Sequence, residues 1–186
     1  MRKKPIYKPE TAVFGGGCFW GTEAIFKTLN GVSDVRPGYA GGPKSMPTYE
    51  EVSTGETGHA EVISMTYKPD EISYRDLLTI FFATHDPYSL NQQGNDIGSH
   101  YRSIILYTTE QQKIEAKKFI DKLNEGVGLK VVTEIKPLIK LYPVENYHEN
   151  YFANHQKESY CKLIIIPKLQ KVKEKFSSLV KKQALI

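Results

Sequence analysis

The chain has 186 residues, 40% hydrophobic and 25% charged, which fits one globular domain with a sizeable core. Its formal charge of +4 is unevenly placed: residues 1–10 carry +3, residues 168–186 carry +5, and the body between them carries −4. A nucleic-acid surface is therefore not indicated. Two cysteines exclude a disulfide framework, no apolar run reaches bilayer length, and the first ten residues lack a signal-type apolar core, so a reducing cytoplasm is expected.

Residues 1–10 read as a basic extension, and residues 11–186 as a single domain. A short apolar run predicts a strand over 11–15, followed by three glycines and a helix over about 18–29 that stops at Asn30-Gly31. Residues 32–40 are extended. The Gly, Pro, Ser and Thr content of 43–58 predicts a long loop, and 59–67 a strand. Ser73 caps a helix to about 84, residues 85–99 form a second polar loop, and 101–107 is a strand. Thr109 and Gln112 open a helix to about 124 as a capping box. Two β segments, about 131–135 and 138–142, a short helix near 145–154, a strand at 161–166 and a terminal helix complete the chain. In that last helix Leu169, Val172, Phe176, Leu179 and Val180 face inward and the lysines face water. The order strand, helix, strand, strand, helix, strand predicts an α+β fold with a ferredoxin-like split βαβ core, helices on one face of a mainly antiparallel sheet.

Gly17-Cys18-Phe19-Trp20-Gly21 carries the chemistry. It places a cysteine in a glycine turn that opens a helix, where free N–H groups and the helix dipole should lower its pKa. Phe19 and Trp20, the only tryptophan, would wall an apolar pocket beside the sulfur. The plain alternative is a buried cysteine with aromatics that merely pack. Glu61 is the second candidate. Strand alternation sets it on the face of Ile63, Met65 and Tyr67, where a carboxyl should have a raised pKa and act as a hydrogen-bond donor and general acid. Against this stands a glutamate that reaches solvent or pairs with a lysine.

Gly17–Gly21 resembles the active-site signature of the peptide methionine sulfoxide reductase A family. So do Gly38-Tyr39-Ala40-Gly41-Gly42, Tyr49-Glu50-Glu51-Val52, Gly58-His59-Ala60-Glu61-Val62, Asn91-Gln92-Gln93-Gly94-Asn95-Asp96, Tyr101-Arg102-Ser103 and Asn146-Tyr147-His148. These segments occur in the family's order and cover roughly residues 11–167. The resemblance implies a two-layer α/β sandwich and an enzyme that reduces the S epimer of methionine sulfoxide, free or in proteins. Cys18 would attack the sulfoxide sulfur and become a sulfenic acid, with Glu61 as the catalytic carboxyl. Tyr49 and Tyr101 would hydrogen-bond the oxygen, as in an oxyanion hole. Phe19 and Trp20 would receive the methyl group, and Asp96 would line the pocket. Thioredoxin or another dithiol would be the reductant. No cofactor, metal, nucleic acid or membrane is expected, and a monomer is.

Several residues keep two readings. Asp96 also suits a plain turn between Asn95 and Gly98. His100 stands where many relatives have glutamine, and either perturbs the donors around Tyr101 or faces solvent. Cys161 lies in a strand-like run and reads either as a small core hydrophobe or as the thiol that resolves the sulfenic acid. This chain lacks the Gly-rich tail in which many relatives carry recycling cysteines. A zinc site would need distant histidines, since no close pair exists among His59, His85, His100, His148 and His155. A cysteine acyl transferase, a thiol peroxidase and a non-catalytic interaction module are the competing functions. The first wants a histidine base that the sequence does not place near Cys18.

Overall fold

A computed structural model describes residues 7–182, so residues 1–6 of the expected basic extension and residues 183–186 lie outside it. β1 (Glu10–Gly15) leads into α1 (Phe19–Lys27), then β2 (Val32–Ala40), α2 (Tyr49–Ser53), β3 (Ala60–Tyr67) and α3 (Tyr74–Thr84). A two-strand hairpin of β4 (Gln92–Gln93) and β5 (Asp96–Ile97) precedes a 3-10 turn at Ser99–Tyr101, β6 (Ile104–Tyr107) and α4 (Glu110–Val127). β7 (Glu134–Pro137), β8 (Leu141–Pro143), a 3-10 turn at Asn146–His148, α5 (Tyr151–Asn154), a π-helical turn at Cys161–Ile165 and α6 (Ile166–Lys175) follow.

The fold is α+β, built on a mixed six-strand sheet in the order β7-β6-β1-β3-β2-β8. Among the described residues only β6 and β7 pair in parallel in this sheet; β1–β3, β1–β6, β2–β3 and β2–β8 are antiparallel. Alternation gives the sheet two apolar faces. Ala12, Phe14, Ile63, Met65 and Ile105 pack with α1, α3 and α6 residues in the main core, while Val13, Ala40, Val62, Ile104 and Leu106 pack under Leu138 and Leu141. Phe14 anchors the main core, stacked on Phe81 at 4.9 Å and tilted against Phe26 and Tyr74.

The predicted caps form where local chemistry sets them. Ser73 accepts from the Asp76 N–H in a full capping box. At α4 the box is halved: Thr109 accepts from the Gln112 N–H, but the Gln112 carboxamide oxygen takes the Thr108 N–H instead. The residues expected to face inward do so, with Val172 and Val180 buried and Leu169, Phe176 and Leu179 packed against the core, but the helix itself stops at Lys175: Phe176 caps it, Leu179 lies in a 3-10 turn and Val180 bridges to Leu29.

Three sequence readings are corrected. The 43–58 loop contains α2, whose Thr48–Glu51 capping box was visible in the sequence. The 85–99 loop holds the β4–β5 hairpin. The expected C-terminal strand at 161–166 is helical instead. Cys161 and Ile165, four residues apart, are buried while Lys162 and Leu163 are exposed, a helical period that a strand cannot produce. A short apolar run does not by itself separate the two.

Candidate active site

β1 stops pairing with β3 at Phe14↔Ile63, and the chain leaves the sheet through Gly15–Gly17. A side chain at Gly15 would put its Cβ 2.7 Å from the Glu61 carbonyl oxygen, and Gly17 has a φ of +86°. The Gly17 N–H donates to the Tyr101 carbonyl at 3.1 Å, which ties this turn to the Ser99–Tyr101 turn. Cys18 follows as the N-cap of α1 and is partly exposed.

Glu61 lies on β3 opposite Tyr39 and is only 2% exposed. Its Oε2 accepts the Phe19 N–H, a free donor of the first turn of α1, at 3.0 Å. The Cys18 thiol lies near enough to pull the carboxyl down with that N–H. Burial pushes the Glu61 carboxyl up to about 8, against the pull of the Phe19 N–H and with a further upward push from Asp96. The carboxyl is therefore protonated at neutral pH, as its position on the core face of β3 predicts.

Cys18 is not acidified as the helix N-terminus alone suggests. Burial first, and the Glu61 and Asp96 charges after it, raise the thiol well above its ordinary value; the Trp20 N–H and the Tyr160 hydroxyl pull the other way. Desolvation and two carboxyls outweigh half a unit charge of helix dipole.

Both tyrosines face this pair. Tyr49 opens α2, held by its N–H on Glu145 Oε1 at 2.9 Å, while Glu145 Oε2 accepts the Tyr39 hydroxyl at 3.0 Å. Tyr101 ends the turn after the β4–β5 hairpin. Burial, Glu61 and Cys18 all raise both phenols, which keeps each a donor at neutral pH. Asp96 comes in from β5 and accepts the Tyr160 hydroxyl at 2.7 Å. His100 is buried, its ring 4.0 Å from Tyr101, and burial favours its neutral form.

The two aromatics after Cys18 differ. Phe19 is 1% exposed, wedged against Tyr39 and His148. Trp20 is half-buried and covered on one face by Tyr151, parallel at 3.5 Å. Its indole N–H donates to His148 Nδ1 at 3.0 Å, and the His148 ring also meets Tyr49 at 4.3 Å. Gly17, Cys18, Gln93, Asp96, Tyr160 and Lys168 share a cavity of about 470 Å³.

The structure thus brings Cys18, Glu61, Tyr49, Tyr101, Trp20 and Asp96 together. Cys161 is not with them. It is fully buried against Ala24 and Ile165, and Ala24 lies six residues along α1 from Cys18, about 9 Å at the helical rise. Sequence reasoning missed Tyr160, His148 and Glu145. His148 stood in a quoted segment without a role, and nothing marked Tyr160 among 12 tyrosines.

A cysteine at a helix N-terminus over a buried, protonated carboxyl, with phenols around both, is the arrangement of a thiol oxidoreductase on an α+β scaffold. Comparison with known proteins agrees. The family model for peptide methionine sulfoxide reductase matches residues 10–180. A peptide methionine sulfoxide reductase MsrA of Sulfolobus acidocaldarius is 53% identical over 90% of this chain and 95% of its own. One from Nautilia profundicola is 54% identical over 86% of this chain and 92% of its own. The reduced form of Mxr1 from Saccharomyces cerevisiae superposes with a TM-score of 0.76 at 32% identity, over 83% of this chain and 90% of that one. A structure of Mxr1 in complex with Trx2, 24% identical with a TM-score of 0.53, shares the fold. The chain belongs to the peptide methionine sulfoxide reductase family. It is an enzyme of the A type, and it reduces methionine sulfoxide.

The raised carboxyl has a measurable consequence. The native state keeps the Glu61 proton up to about 8, whereas an unfolded glutamate loses it near its ordinary value of 4.5. Between those values the native state binds more protons, so this group's contribution to stability falls as pH rises. Infrared difference spectra of wild type against Glu61→Gln should contain a protonated-carboxyl band at pH 7 that fades through about pH 8. Urea unfolding should lose stability across the same window in wild type and less in the variant.

Proposed function

We propose that the substrate is methionine S-sulfoxide, free or in proteins, with Cys18 as nucleophile and Glu61 as acid. The observation that carries this is the protonated Glu61 carboxyl, buried against both the Phe19 N–H and the Cys18 thiol. The Cys18 sulfur attacks the sulfoxide sulfur. As that bond forms, Glu61 gives its proton to the sulfoxide oxygen, and the Cys18 proton passes to the Glu61 carboxylate. The hydroxyl then passes to the Cys18 sulfur as the substrate S–O bond and the transient sulfur–sulfur bond both break. The products are methionine, reduced by two electrons, and a Cys18 sulfenic acid. Tyr49 and Tyr101 donate to the oxygen while its charge grows. Trp20 receives the methyl group, with Phe19 backing the pocket from the core, and Asp96 lines its polar side.

Cys161 is the resolving thiol in this reading. It displaces hydroxide from the sulfenic sulfur, water is released, and a dithiol reductant of the thioredoxin class opens the disulfide. Its burial against Ala24 means the 155–165 segment must move first. The rest of the reading is a single catalytic domain over 11–186, monomeric and cytoplasmic. Its ferredoxin-like split βαβ core in a two-layer sandwich is supported by the central strand order β6-β1-β3-β2.

Incubation with each epimer of a blocked methionine sulfoxide and dithiothreitol, followed by chromatography, should consume the S form and leave the R form. Swapping the epimers exchanges the oxygen and the methyl between the phenols and the indole, so equal rates would sink the pocket assignment.

Cys18→Ser should retain its circular dichroism spectrum and lose at least about a hundredfold in activity. Glu61→Gln keeps a donor but no acid proton, and should lose about ten- to a thousandfold, less than Glu61→Ala. Wild-type activity from either substitution would remove that residue from the mechanism.

Cys161→Ser should release one methionine per enzyme as wild type does and should cycle with dithiothreitol. Thioredoxin-driven cycling should collapse. If it continues unchanged, Cys161 is a core residue and an external thiol reduces Cys18 directly.

A further inference from the structure

A sulfoxide sulfur carries three substituents, and the proposed reaction places two of them. The oxygen goes to Glu61, Tyr49 and Tyr101, and the methyl to Trp20 and Phe19. The third is the carbon that leads to the methionine α-carbon and its main-chain groups. That arm needs its own way out from Cys18. The cavity of about 470 Å³ supplies one: Cys18 forms part of its wall, and none of the five side chains that take the oxygen and the methyl does.

The polar groups in this wall are nearly all taken. Asp96 accepts the Tyr160 hydroxyl at 2.7 Å, and Asp86 accepts the Tyr88 N–H at 2.9 Å. The His85 ring bonds the Phe81 carbonyl and the Ser103 hydroxyl. The Lys171 ammonium donates to the Ala83 carbonyl at 2.6 Å. Lys168 differs: among the described residues its ammonium has no hydrogen bond and no ion pair. It is half-buried on α6, where burial pulls it down and the Asp96 and Cys18 charges hold it up. A partly desolvated ammonium is costly unless an anion answers it. Free methionine sulfoxide brings such an anion, its α-carboxylate, on the arm that enters this cavity. A residue inside a polypeptide brings a neutral carbonyl there instead.

We propose that Lys168 is a specificity-determining residue, whose ammonium takes the α-carboxylate of free methionine sulfoxide and so favours the amino acid over a residue within a chain. This rests on the proposed placing of oxygen and methyl at Cys18 and not on Cys161 as resolving thiol. Lys168 touches no reacting atom; it holds the far end of the substrate while the sulfur meets Cys18.

The test measures kcat/KM with dithiothreitol for two S-sulfoxides: N-acetylmethionine sulfoxide, which has the carboxylate, and its N-methylamide, which is neutral. The ratio of acid to amide should fall about tenfold in Lys168→Met, the loss expected for one hydrogen bond between charged groups. A disturbed pocket slows both substrates and cancels in the ratio. Lys168→Arg keeps the charge and should keep most of the ratio. Added salt should lower the ratio in wild type and leave it level in Lys168→Met, because screening acts only where the charge pair exists. An acid-to-amide ratio in Lys168→Met equal to that of wild type would overturn the proposal, and so would a ratio that rises. Should Lys168→Met fail to fold, Lys168→Gln is read in the same way. Equal turnover of the R and S epimers of the amide is a different result: it would sink the placing of oxygen and methyl on which the proposal rests.

Discussion

The hydrogen bond from the Phe19 N–H to the Glu61 carboxyl holds the site together. It joins the first turn of α1 to the middle of β3 across 42 positions of sequence, at 3.0 Å and out of contact with water. A helix N-terminus leaves donors unsatisfied, and a carboxyl on the core face of a strand leaves an acceptor desolvated. Each answers the other. Burial keeps the proton on the carboxyl against the pull of this donor, and the bond fixes the carboxyl beside Cys18. Glycines make the approach feasible: β1 leaves the sheet at Gly15, where a Cβ would meet the Glu61 carbonyl.

Around this pair the protein supplies orientation from distant segments. Glu145 holds the α2 N-terminus with one oxygen and Tyr39 with the other, so that Tyr49 is aimed by a residue 96 positions away. His148 accepts the Trp20 indole N–H and packs against Phe19 and Tyr49, and burial keeps it neutral and so able to accept. On the opposite wall the β4–β5 hairpin presents Asp96, and the adjoining turn presents Tyr101. Trp20 keeps one indole face against Tyr151, which fixes the plane of the ring.

The resting site is poised rather than charged. Glu61 holds its proton, Cys18 holds its own, and the phenols of Tyr49 and Tyr101 remain donors. In the proposed reaction such a site takes a neutral sulfoxide and moves a proton only when the substrate oxygen offers a place for one. The segment that carries Tyr160 into this site buries Cys161 with Ala24 and Ile165, in a cluster against which Trp20 and Tyr160 themselves pack.

Much of this was legible in the sequence because local chemistry sets it. The helix after Gly15–Gly17, the Ser73 cap, the burial of Glu61 by alternation and the inward stripe of the last helix all depend on residues within a few positions of one another. The α+β class followed from the alternation of elements. Three things were decided only by tertiary structure. Residues 161–166 are helical because Cys161 and Ile165 find α1, and no short apolar run announces which partner it will find. The Cys18 thiol is held up because desolvation and two carboxyls from other strands outweigh the helix end on which it sits. Tyr160 enters the site because Asp96, 64 positions earlier, accepts its hydroxyl. A sequence determines what a residue can do within a turn of itself; the solvent and charge that settle its protonation come from segments that only folding brings near.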